Sequence, residues 1–476
     1  MIVLPDQEPL TSINTHYLSF SIDISVLAGG FWWEGSHKTH KGLGALRVPP
    51  LNLTTKKLDN LVAALGPAYL RVGGSEADKI DYFDHDDPDN NPDSLILTYK
   101  MWDELHQFIQ RNNLKFMFTF KYGLFTRQEH GSWQPCEAKK LLDYTHEKNY
   151  RIDVCELGNE LNAYWAFHGL RSQPLAKKLA EDYSNFIHFI REDSPGTLIS
   201  GPGSAFWPRL GETIKPFSNI TQKVLALLSQ DLDIVDWHYY PFQSKRSPIR
   251  TRTATIKNAL SPKYLNDYAK YATHIRLARD QHQPEAVLWT GETGSAQCGG
   301  EPKISDRFVS CFWWADQLGR GAVVGQKVMV RQSLIGGDYS LVDRLTLKPK
   351  PDYWVSWLWG QLMGTHVYHI PNTDNYIRIY CHSSVRQPDQ DHNKIHKTLL
   401  IINMSSKMAH INVDIDTCVT HKYAITAKDL TSKKLRINGI KPKFKKGKVS
   451  LKDFPTDAEY LSTRHIKPYS INFWCI

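Results

Sequence analysis

Two glutamates stand at the ends of short apolar segments, where carboxylates are well placed to do chemistry. Glu160 follows the segment IDVCELGN (152–159), and Glu292 ends the segment AVLWTGE (286–292). Two carboxylates that flank a glycosidic bond can hydrolyse it: one protonates the leaving oxygen, and the other stabilises or captures the oxocarbenium-like centre. The amide of Asn159 could bind a sugar 2-hydroxyl, a contact that strengthens in the transition state. The alternative is that both glutamates form ordinary ion pairs with Lys or Arg in loops.

A third segment, LDIVDWHYY (232–240), adds a histidine and a tyrosine to the candidate residues. In a strand, His238 and Tyr240 would point to the same face because side chains alternate. At a strand end they could hydrogen-bond a nucleophilic carboxylate and help to keep it ionised. The alternative is an ordinary aromatic core strand.

These segments belong to a regular alternation of strand-like and helix-like sequence. Eight short apolar or β-branched runs occupy 17–25, 68–74, 114–120, 152–159, 196–202, 232–240, 286–292 and 326–332. Apolar residues spaced by three and four predict helices over 55–65, 99–112, 137–148, 176–192, 266–281 and 305–321. Eight such units over about 300 residues predict a (β/α)8 TIM barrel, whose functional residues lie at the C-terminal ends of the strands. An open doubly wound sheet is the alternative, but no glycine-rich nucleotide fingerprint follows the first strand.

The pattern changes after about residue 364, where short strand-like segments separated by turns replace the helical ones. We expect a catalytic barrel over 17–364 and an appended C-terminal β-sandwich over 365–476, which residues 1–16 join. The basic run KPKFKKGK (441–448) is interpreted as a solvated hairpin, with a polyanion contact as the alternative.

The composition excludes several classes of protein. Apolar residues make up 41% and charged residues 22% of the 476, which is typical of a globular protein. No apolar run reaches the roughly 18 residues of a membrane span. The net charge of +9 is a mild excess, which indicates tolerance of polyanions but not a nucleic-acid binder. The seven cysteines form no CxxC pair, so we expect no zinc site, and we expect no cofactor.

Segments spread over nearly the whole chain, in the same order, resemble a known family of proteins. They are QEPLTSINTHYLSFSID, LGPAYLRVGGSEAD, CELGNELN, VDWHYY, VLWTGETGSAQCGG with the downstream ISDRF, VMVRQSLIGGDYSLVD and KPDYWVSWLWGQLMGTHV. The family is that of the heparanase-like β-glucuronidases, retaining glycoside hydrolases that include heparanase and leech-type hyaluronoglucuronidase. The resemblance implies a (β/α)8 barrel with a β-sandwich, in agreement with the segment pattern.

The resemblance also implies a role for each candidate carboxylate. Glu160 would be the acid/base and Glu292 the nucleophile, and Asn159 would contact the 2-hydroxyl of the sugar. A retaining mechanism places the two carboxyl groups only about 5–5.5 Å apart. Mutual repulsion would then separate their pKa values.

Five further positions match sugar contacts of the family. The glucuronate carboxylate would be bound by the backbone amides of Gly299 and Gly300 and by Tyr339. Glycine at these positions lets the backbone approach an anion closely. Asp23 would bind sugar hydroxyls, and Ser75 stands where the family often has a small hydroxyl residue.

The sequence also departs from the family. Mammalian heparanase has an excised linker where this chain has the short acidic stretch DYFDHDDPDNNPDS (81–94), so we expect a single-chain enzyme. The lysines of the heparin-binding cleft are poorly matched after Glu160, which argues against a strong preference for highly sulfated substrate. Trp165 and Trp207 could stack on sugar rings instead. Cys298 stands beside the carboxylate pocket where the family prefers glycine.

The resemblance further implies a disulfide between Cys381 and Cys475 that closes the sandwich. It could add about 4–5 kcal/mol in the chain-entropy model if it forms in an oxidising compartment. The first ten residues, MIVLPDQEPL, carry no basic n-region and no long apolar stretch. Either the protein is not exported or a signal has been removed; we expect a secreted, periplasmic or lysosome-like enzyme whose signal is not present in this chain.

The resulting hypothesis is a retaining endo-β-glucuronidase that cleaves heparan sulfate, hyaluronan or a related glucuronate-containing glycosaminoglycan. The first alternative is an exo-enzyme that removes terminal glucuronate. The second is a non-catalytic polysaccharide-binding relative, which the presence of both glutamates disfavours. We expect neither a nucleic-acid partner nor a membrane span.

Overall fold

The computed structural model describes residues 2–3, 8–34, 46–83, 95–123, 131–214, 219–371, 374–385, 396–413, 419, 421–456 and 463–476. The acidic stretch 81–94, on which the expectation of a single-chain enzyme rests, lies largely outside these ranges. Within them, none of the helices combines the length and the apolar composition that a membrane crossing requires.

Eight parallel strands form the centre of the fold, and all eight match segments predicted from the sequence. They are β1 (Leu18–Asp23), β2 (Tyr69–Gly73), β3 (Lys115–Phe120), β4 (Val154–Leu157), β5 (Leu198–Trp207), β6 (Ile234–Tyr239), β7 (Val287–Thr293) and β8 (Val328–Arg331). Each pairs with its sequence neighbours, β8 pairs with β1, and β4 pairs with β5, so the sheet closes. The predicted TIM barrel is therefore confirmed.

One longer helix follows each strand and covers the outside of the barrel. The helices are α1 (Lys56–Ala63), α2 (Tyr99–Arg111), α3 (Cys136–Glu147), α4 (Ala176–Asp193), α5 (Thr221–Leu227), α6 (Asp267–His282), α7 (Phe308–Val323) and α8 (Pro351–Leu362). Two of them were not predicted from the sequence. Helix α5 has only seven residues, and α8 is apolar on nearly every side because it is buried between the barrel and the C-terminal region.

Shorter elements connect these strands and helices. The short helices are Ile24–Ala28, Tyr164–His168, Ile256–Ala259 and Pro262–Leu265, with 3-10 turns at Ser75–Asp78, Leu161–Ala163, Leu170–Ser172 and Leu451–Asp453. The two-residue strands are Ile2–Val3, Thr11–Ser12, Phe31–Trp32, Leu46–Arg47, Asp81–Tyr82, Ile96–Leu97 and Leu210–Gly211.

The C-terminal region is rich in strands. They are β9 (Met363–Tyr368), β10 (Ile377–Ser384), β11 (Lys397–Asn403), β12 (Ala409–Val413), β13 (His421–Ala427), β14 (Leu435–Ile437), β15 (Thr463–Ile466) and β16 (Ser470–Cys475). The larger sheet has the order β9–β10–β11–β16–β13–β14, with Thr11–Ser12 paired beside β9. The smaller sheet joins Ile2–Val3, β12 and β15. Residues of the two sheets pack into a common apolar layer, which includes Ile379, Ile411 and Trp474.

The sheet register corrects the disulfide that the resemblance implied. Cys381 on β10 lies opposite Leu399 of β11, and Cys475 on β16 lies opposite Thr398 of the same strand. The cysteines are thus two strands apart, or about 9–10 Å, and point to opposite faces of the sheet. A disulfide needs Cα atoms within about 7 Å. Cys475 Sγ instead accepts a hydrogen bond from Thr398 Oγ1 at 3.8 Å.

Candidate active site

Glu160 and Glu292 meet at the C-terminal end of the barrel. One carboxylate oxygen of Glu160 and one of Glu292 lie within 4.8 Å of each other, and the two residues are only 4% and 6% exposed. A tight turn after β4 delivers Glu160, since Gly158 has a φ of 67°. A Cβ at residue 158 would lie 2.5 Å from Leu161 Cδ2 and 2.9 Å from Tyr122 Cβ, so only glycine fits there.

Glu292 is oriented by hydrogen bonds to both of its carboxylate oxygens. The Tyr240 hydroxyl donates to Oε1 at 2.6 Å, and Arg71 Nη1 donates to Oε2 at 2.6 Å. Burial and the neighbouring Glu292 raise the pKa of Tyr240 well above its usual value, so this phenol remains a donor. The carboxylate is therefore held in one orientation.

Glu160 has different partners. His238 Nδ1 lies 3.2 Å from Glu160 Oε1, and Trp207 Nε1 donates to the same oxygen at 3.3 Å. Burial raises the pKa of Glu160, and repulsion from Glu292 adds to this, against the two hydrogen bonds. Of the predicted His238–Tyr240 pair, only Tyr240 bonds Glu292, since His238 comes no closer to it than 4.0 Å.

His238 is fully buried among carboxylates. Burial opposes its protonation, but Glu292, Glu156 and Glu160 together raise the pKa of His238 to about 10. Its Nε2 lies 3.7 Å from Glu156 Oε1, behind the candidate acid/base. The imidazolium can therefore donate to Glu160 across the pH range in which Glu160 changes its protonation state.

Arg71 connects these groups and was not identified as a functional residue from the sequence. It is completely buried, and its Nε and Nη2 donate to Glu156 Oε2 at 3.1 and 2.8 Å. Its Nη2 also donates to Asn159 Oδ1 at 3.0 Å. Burial disfavours the guanidinium charge, but Glu156 and Glu292 outweigh it and raise the pKa of Arg71 further. A charged residue inside the apolar strand YLRVG was the signal that could have revealed it.

Two more buried carboxyl groups, Glu156 and Asp236, lie beneath the site. Burial disfavours ionised Glu156, but Arg71 and His238 lower its pKa overall. Burial raises the pKa of Asp236, and repulsion from Glu156 raises it further. Asp236 Oδ1 accepts a hydrogen bond from the backbone of Gly291 at 2.6 Å, which ties β6 to the residue before Glu292.

Most of the sequence-predicted residues line one pocket above the two glutamates. Besides Glu160 and Glu292, the predicted residues in its wall are Asp23, Ser75, Trp207, Tyr240, Cys298, Gly299 and Tyr339. Further residues in its wall, which were not predicted from the sequence, include Trp33, Glu76 and Gln332. Four predicted residues are outside this wall, namely Asn159, Trp165, His238 and Gly300.

Asn159 lies just below the pocket wall. Its side-chain oxygen accepts from Arg71, and its backbone amide donates to Asp78 Oδ2 at 3.0 Å. Because the oxygen is used, the bond to Arg71 fixes which way the amide NH2 group points. Trp165 is half-buried away from the pocket, which leaves Trp207 as the tryptophan of the pair beside Glu160.

The predicted carboxylate-binding side of the pocket is built from left-handed turns. Cys298, Gly299 and Gly300 have φ values of 55°, 75° and 88°. A Cβ on Gly299 would lie 2.3 Å from the Trp33 carbonyl oxygen, so this position needs glycine. Burial raises the pKa of the Cys298 thiol to about 12, so it stays protonated at the pocket wall. The Gly300 amide is engaged in the turn, where it donates to Gln297 O at 3.3 Å.

Asp23 accepts hydrogen bonds from two neighbouring segments. Its Oδ1 accepts from the backbone of Ser25 at 3.0 Å and caps the helix Ile24–Ala28, while its Oδ2 accepts from Gln332 Nε2 at 3.3 Å. Burial raises the pKa of Asp23 to about 8, with smaller contributions from Glu292 and Glu76. A neutral carboxyl group at this point could both donate to and accept from a sugar hydroxyl.

Two groups of side chains have the donor types of a metal site. They are Glu156 with Asp236 and His238, and Glu160 with His238 and Glu292. Arg71 already donates to Glu156 and to Glu292, and a bound cation would have to compete with this guanidinium. The arrangement instead suits acid/base and nucleophilic chemistry by the two glutamates.

The chain is similar to a family of known proteins. Residues 31–319 match the model of glycosyl hydrolase family 79, N-terminal domain. Heparanase-like protein 1 of Arabidopsis thaliana is 28% identical over 400 residues, which cover 79% of this chain and 69% of that protein. Hyaluronoglucuronidase of Hirudo nipponia is 26% identical over 476 residues, which cover 92% of this chain and 90% of that protein.

A solved structure supports the fold. The crystal structure of a 4-O-α-L-rhamnosyl-β-D-glucuronidase from Fusarium oxysporum 12S aligns over 100% of both chains, with a TM-score of 0.69 and 14% identity. At this identity the similarity concerns the fold alone.

Proposed function

The chain belongs to glycosyl hydrolase family 79, and from that premise we propose that it is a retaining endo-β-glucuronidase of a glucuronate-containing glycosaminoglycan. Membership makes it a glycoside hydrolase, as the sequence resemblance predicted. One observation carries the retaining mechanism in this proposal. Two buried glutamates have oxygens within 4.8 Å, and only one of the glutamates is bonded to Arg71 and Tyr240.

The proximity of the carboxylates favours retention of configuration. Retaining enzymes have carboxyl groups about 5–5.5 Å apart, whereas inverting enzymes leave room for a water with about 6.5–9.5 Å. The separation between Glu160 and Glu292 falls on the retaining side.

In the first step, an oxygen of Glu292 attacks the anomeric carbon while Glu160 donates its proton to the glycosidic oxygen. The bond from carbon to the leaving oxygen breaks, and a covalent glycosyl ester on Glu292 forms. The raised pKa of Glu160 keeps the proton available for this donation. Arg71 and Tyr240 hold the attacking carboxylate in place.

In the second step, Glu160 is a carboxylate and takes a proton from an incoming water. The water oxygen attacks the anomeric carbon, and the ester bond to Glu292 breaks, which regenerates both groups. His238 would assist because its imidazolium can donate to Glu160 when that residue is ionised.

The substrate assignment rests on the pocket and on the relatives. Tyr339 and the turn at Gly299 form the wall where a glucuronate carboxylate would bind, and Asp23 and Trp207 lie elsewhere in the same wall. The relative from Hirudo nipponia is a hyaluronoglucuronidase, and the one from Arabidopsis thaliana is heparanase-like by name. We therefore favour hyaluronan or heparan sulfate as the polymer.

The first experiment measures hydrolysis of an aryl β-glucuronide together with the sizes of heparan sulfate and hyaluronan digests. Shortened polymer without free glucuronate is the expected result. Free glucuronate with unchanged polymer length would make the protein an exo-enzyme. A folded protein that binds these polymers but cleaves neither them nor the aryl substrate would overturn the proposal.

Chemical rescue tests the two roles separately. With azide present, Glu160→Ala should convert the aryl substrate into a β-glucuronyl azide, because the small anion attacks the covalent intermediate without needing a base. Azide should give an α-glucuronyl azide with Glu292→Ala, because it then replaces the missing nucleophile. Glu76→Ala, which changes another carboxylate in the pocket wall, is the control and should give neither product. Exchanged products would reverse the assignment.

A further inference from the structure

A second, larger groove runs between the barrel and the C-terminal region. Its barrel side is formed by 56–61 at the start of α1 and by 337–354, and its other side by 433–447. Its volume is about 1150 Å³. The proposed hydrolysis uses none of its residues.

The charge of the groove is strongly positive. Eight lysines and four carboxylates line it, and no arginine is among the described lining residues. Three of the carboxylates are already paired: Glu34 bonds Arg344 at 2.9 Å, and Asp338 bonds Arg246 at 2.6 Å. Asp306 pairs with Arg307, whereas Asp343 accepts side-chain hydrogen bonds, among the described residues, from Thr346 only, so one of the four carboxylates is left to offset the lysines. The lysines therefore determine the potential of the groove.

The lysines divide into two groups. Lys57 Nζ donates to Thr346 O, and Lys350 Nζ donates to Gly337 O, both at 2.7 Å, so these two support the barrel loops. The side chains of the second group are exposed and form no hydrogen bond or ion pair with the described residues; its members include Lys348, Lys434, Lys441 and Lys443. Four exposed cations around one groove repel one another, and an anionic ligand would relieve that repulsion.

The floor of the groove is apolar. Leu347, Pro349 and Phe444 are half-buried there beneath the lysine rim. A second depression continues from the groove, since both contain Lys433, Lys434 and Lys441, and it adds Lys428 and Arg436. The basic surface is thus extended and combines charge with apolar contact area, which a compact anion would not need.

We propose that this groove is a non-catalytic binding site for an acidic polysaccharide. Sugar rings offer apolar C–H faces to the floor, while their sulfate or carboxylate groups pair with the lysines. The groove also adjoins the active-site pocket, because consecutive residues line the two. Asp338 lines the groove and Tyr339 lines the pocket; likewise, Glu34 lines the groove and Trp33 lines the pocket. One long polymer could therefore occupy both. The choice of a polysaccharide among polyanions rests on the proposed function, whereas anion binding itself does not.

A matched pair of variants tests the proposal. The groove variant combines Lys348→Gln, Lys434→Gln, Lys441→Gln and Lys443→Gln. The control variant combines Lys177→Gln, Lys223→Gln, Lys263→Gln and Lys270→Gln, which are exposed lysines elsewhere on the barrel. Both lower the net charge equally. Binding of fluorescent heparin and hyaluronan oligosaccharides is measured by anisotropy at several salt concentrations, together with turnover of an aryl β-glucuronide.

The groove variant should bind at least one of the oligosaccharides about tenfold more weakly than the wild type, with a shallower dependence on salt, because fewer counterions are released. The control should bind like the wild type, and all three proteins should hydrolyse the aryl substrate equally. If the groove variant loses affinity for heparin alone, sulfate is the recognised group. If it also loses affinity for hyaluronan, the carboxylate is recognised.

Equal weakening in both variants would overturn the proposal, since net charge alone would then explain binding. Single-stranded DNA of equal charge serves as a further probe, and groove-dependent binding of DNA as tight as that of the sugars would overturn the choice of a polysaccharide. Groove-dependent sugar binding by a protein without aryl glucuronidase activity would instead refute the proposed function and leave the groove site standing.

Discussion

At the scale of single residues, the two glutamates differ because their surroundings differ. Glu292 accepts hydrogen bonds from a guanidinium and a phenol, while Glu160 accepts from an indole and bonds an imidazole. Burial and the proximity of Glu292 raise the pKa of Glu160. A pair of chemically identical side chains can thereby divide into an acid and a nucleophile.

The raised pKa of Glu160 predicts a specific pH dependence. Only protonated Glu160 can donate, so kcat/KM should fall as pH rises through a pKa above the 4.5 of an unperturbed glutamate. The alkaline limb should be steep for an alkyl glucuronide and weak for an aryl glucuronide with an acidic phenol, because a good leaving group needs no proton. The measurement is kcat/KM against pH for both substrates.

Two variants serve as controls for this profile. Asp23→Asn removes a carboxyl group whose pKa is about 8 but should leave the limb in place. Glu160→Gln should remove the weak limb that remains for the aryl substrate. An unchanged limb in Glu160→Gln would assign it to another group.

Arg71 illustrates the energetic cost of such a site. Arg71→Met should lower the free energy of unfolding by about 3–5 kcal/mol, because it leaves Glu156 and Glu292 buried without their cation. Glu156→Gln in the same chain should recover part of this loss, and the double-mutant cycle in urea measures the coupling. Additive losses from the two substitutions would show that Arg71 and Glu156 are not energetically coupled.

At the scale of elements, the sequence predicted the strands and the residues that follow them well. Glu160, Glu292 and Tyr240 could be predicted from the sequence because the functional residues of a barrel lie at the C-terminal ends of its strands. Arg71 and Glu156 lie within strands, as Glu292 does, but they were missed because they act through each other across the sheet. A charged residue there gains meaning only from its partner on another strand, and one sequence alone does not give the register that brings the two together.

The turn after β2 supplies a test at the same scale. Gly74 has a φ of 106°, and a Cβ there would lie 2.2 Å from Asp23 Oδ2. Gly196 also has a positive φ, 88°, but nothing lies within 4 Å of its Cβ position. Gly74→Ala should lower kcat/KM about tenfold or more through displaced Asp23, whereas Gly196→Ala should cost only about 1–2 kcal/mol of strain. Equal kcat/KM values for the two variants would mean that the placement of Asp23 is unimportant for turnover.

At the scale of the whole molecule, the barrel and the C-terminal region share one apolar core. Ile471 and Phe473 of β16 belong to the same buried cluster as the barrel helices. Polar contacts reinforce it, since the Tyr380 hydroxyl donates to Asp316 Oδ1 of α7 at 2.6 Å. We therefore propose that the two predicted domains, 17–364 and 365–476 with 1–16, unfold as one cooperative unit although their folds are distinct.

Two helical glycines make this proposal testable. An alanine in place of glycine usually stabilises a helix by up to about 1 kcal/mol. Gly360→Ala should do so, because the nearest atom to its Cβ position is 3.9 Å away. Gly319→Ala should destabilise the protein instead, because its Cβ would lie 2.2 Å from Tyr380 Cδ2 at the interface. Unfolding in urea is followed by the hydrogen exchange of individual peptides from the barrel and from the sandwich. In Gly319→Ala, the urea midpoints of both sets of peptides should fall together. A lowered sandwich midpoint with an unchanged barrel would mean that the shared core does not couple them.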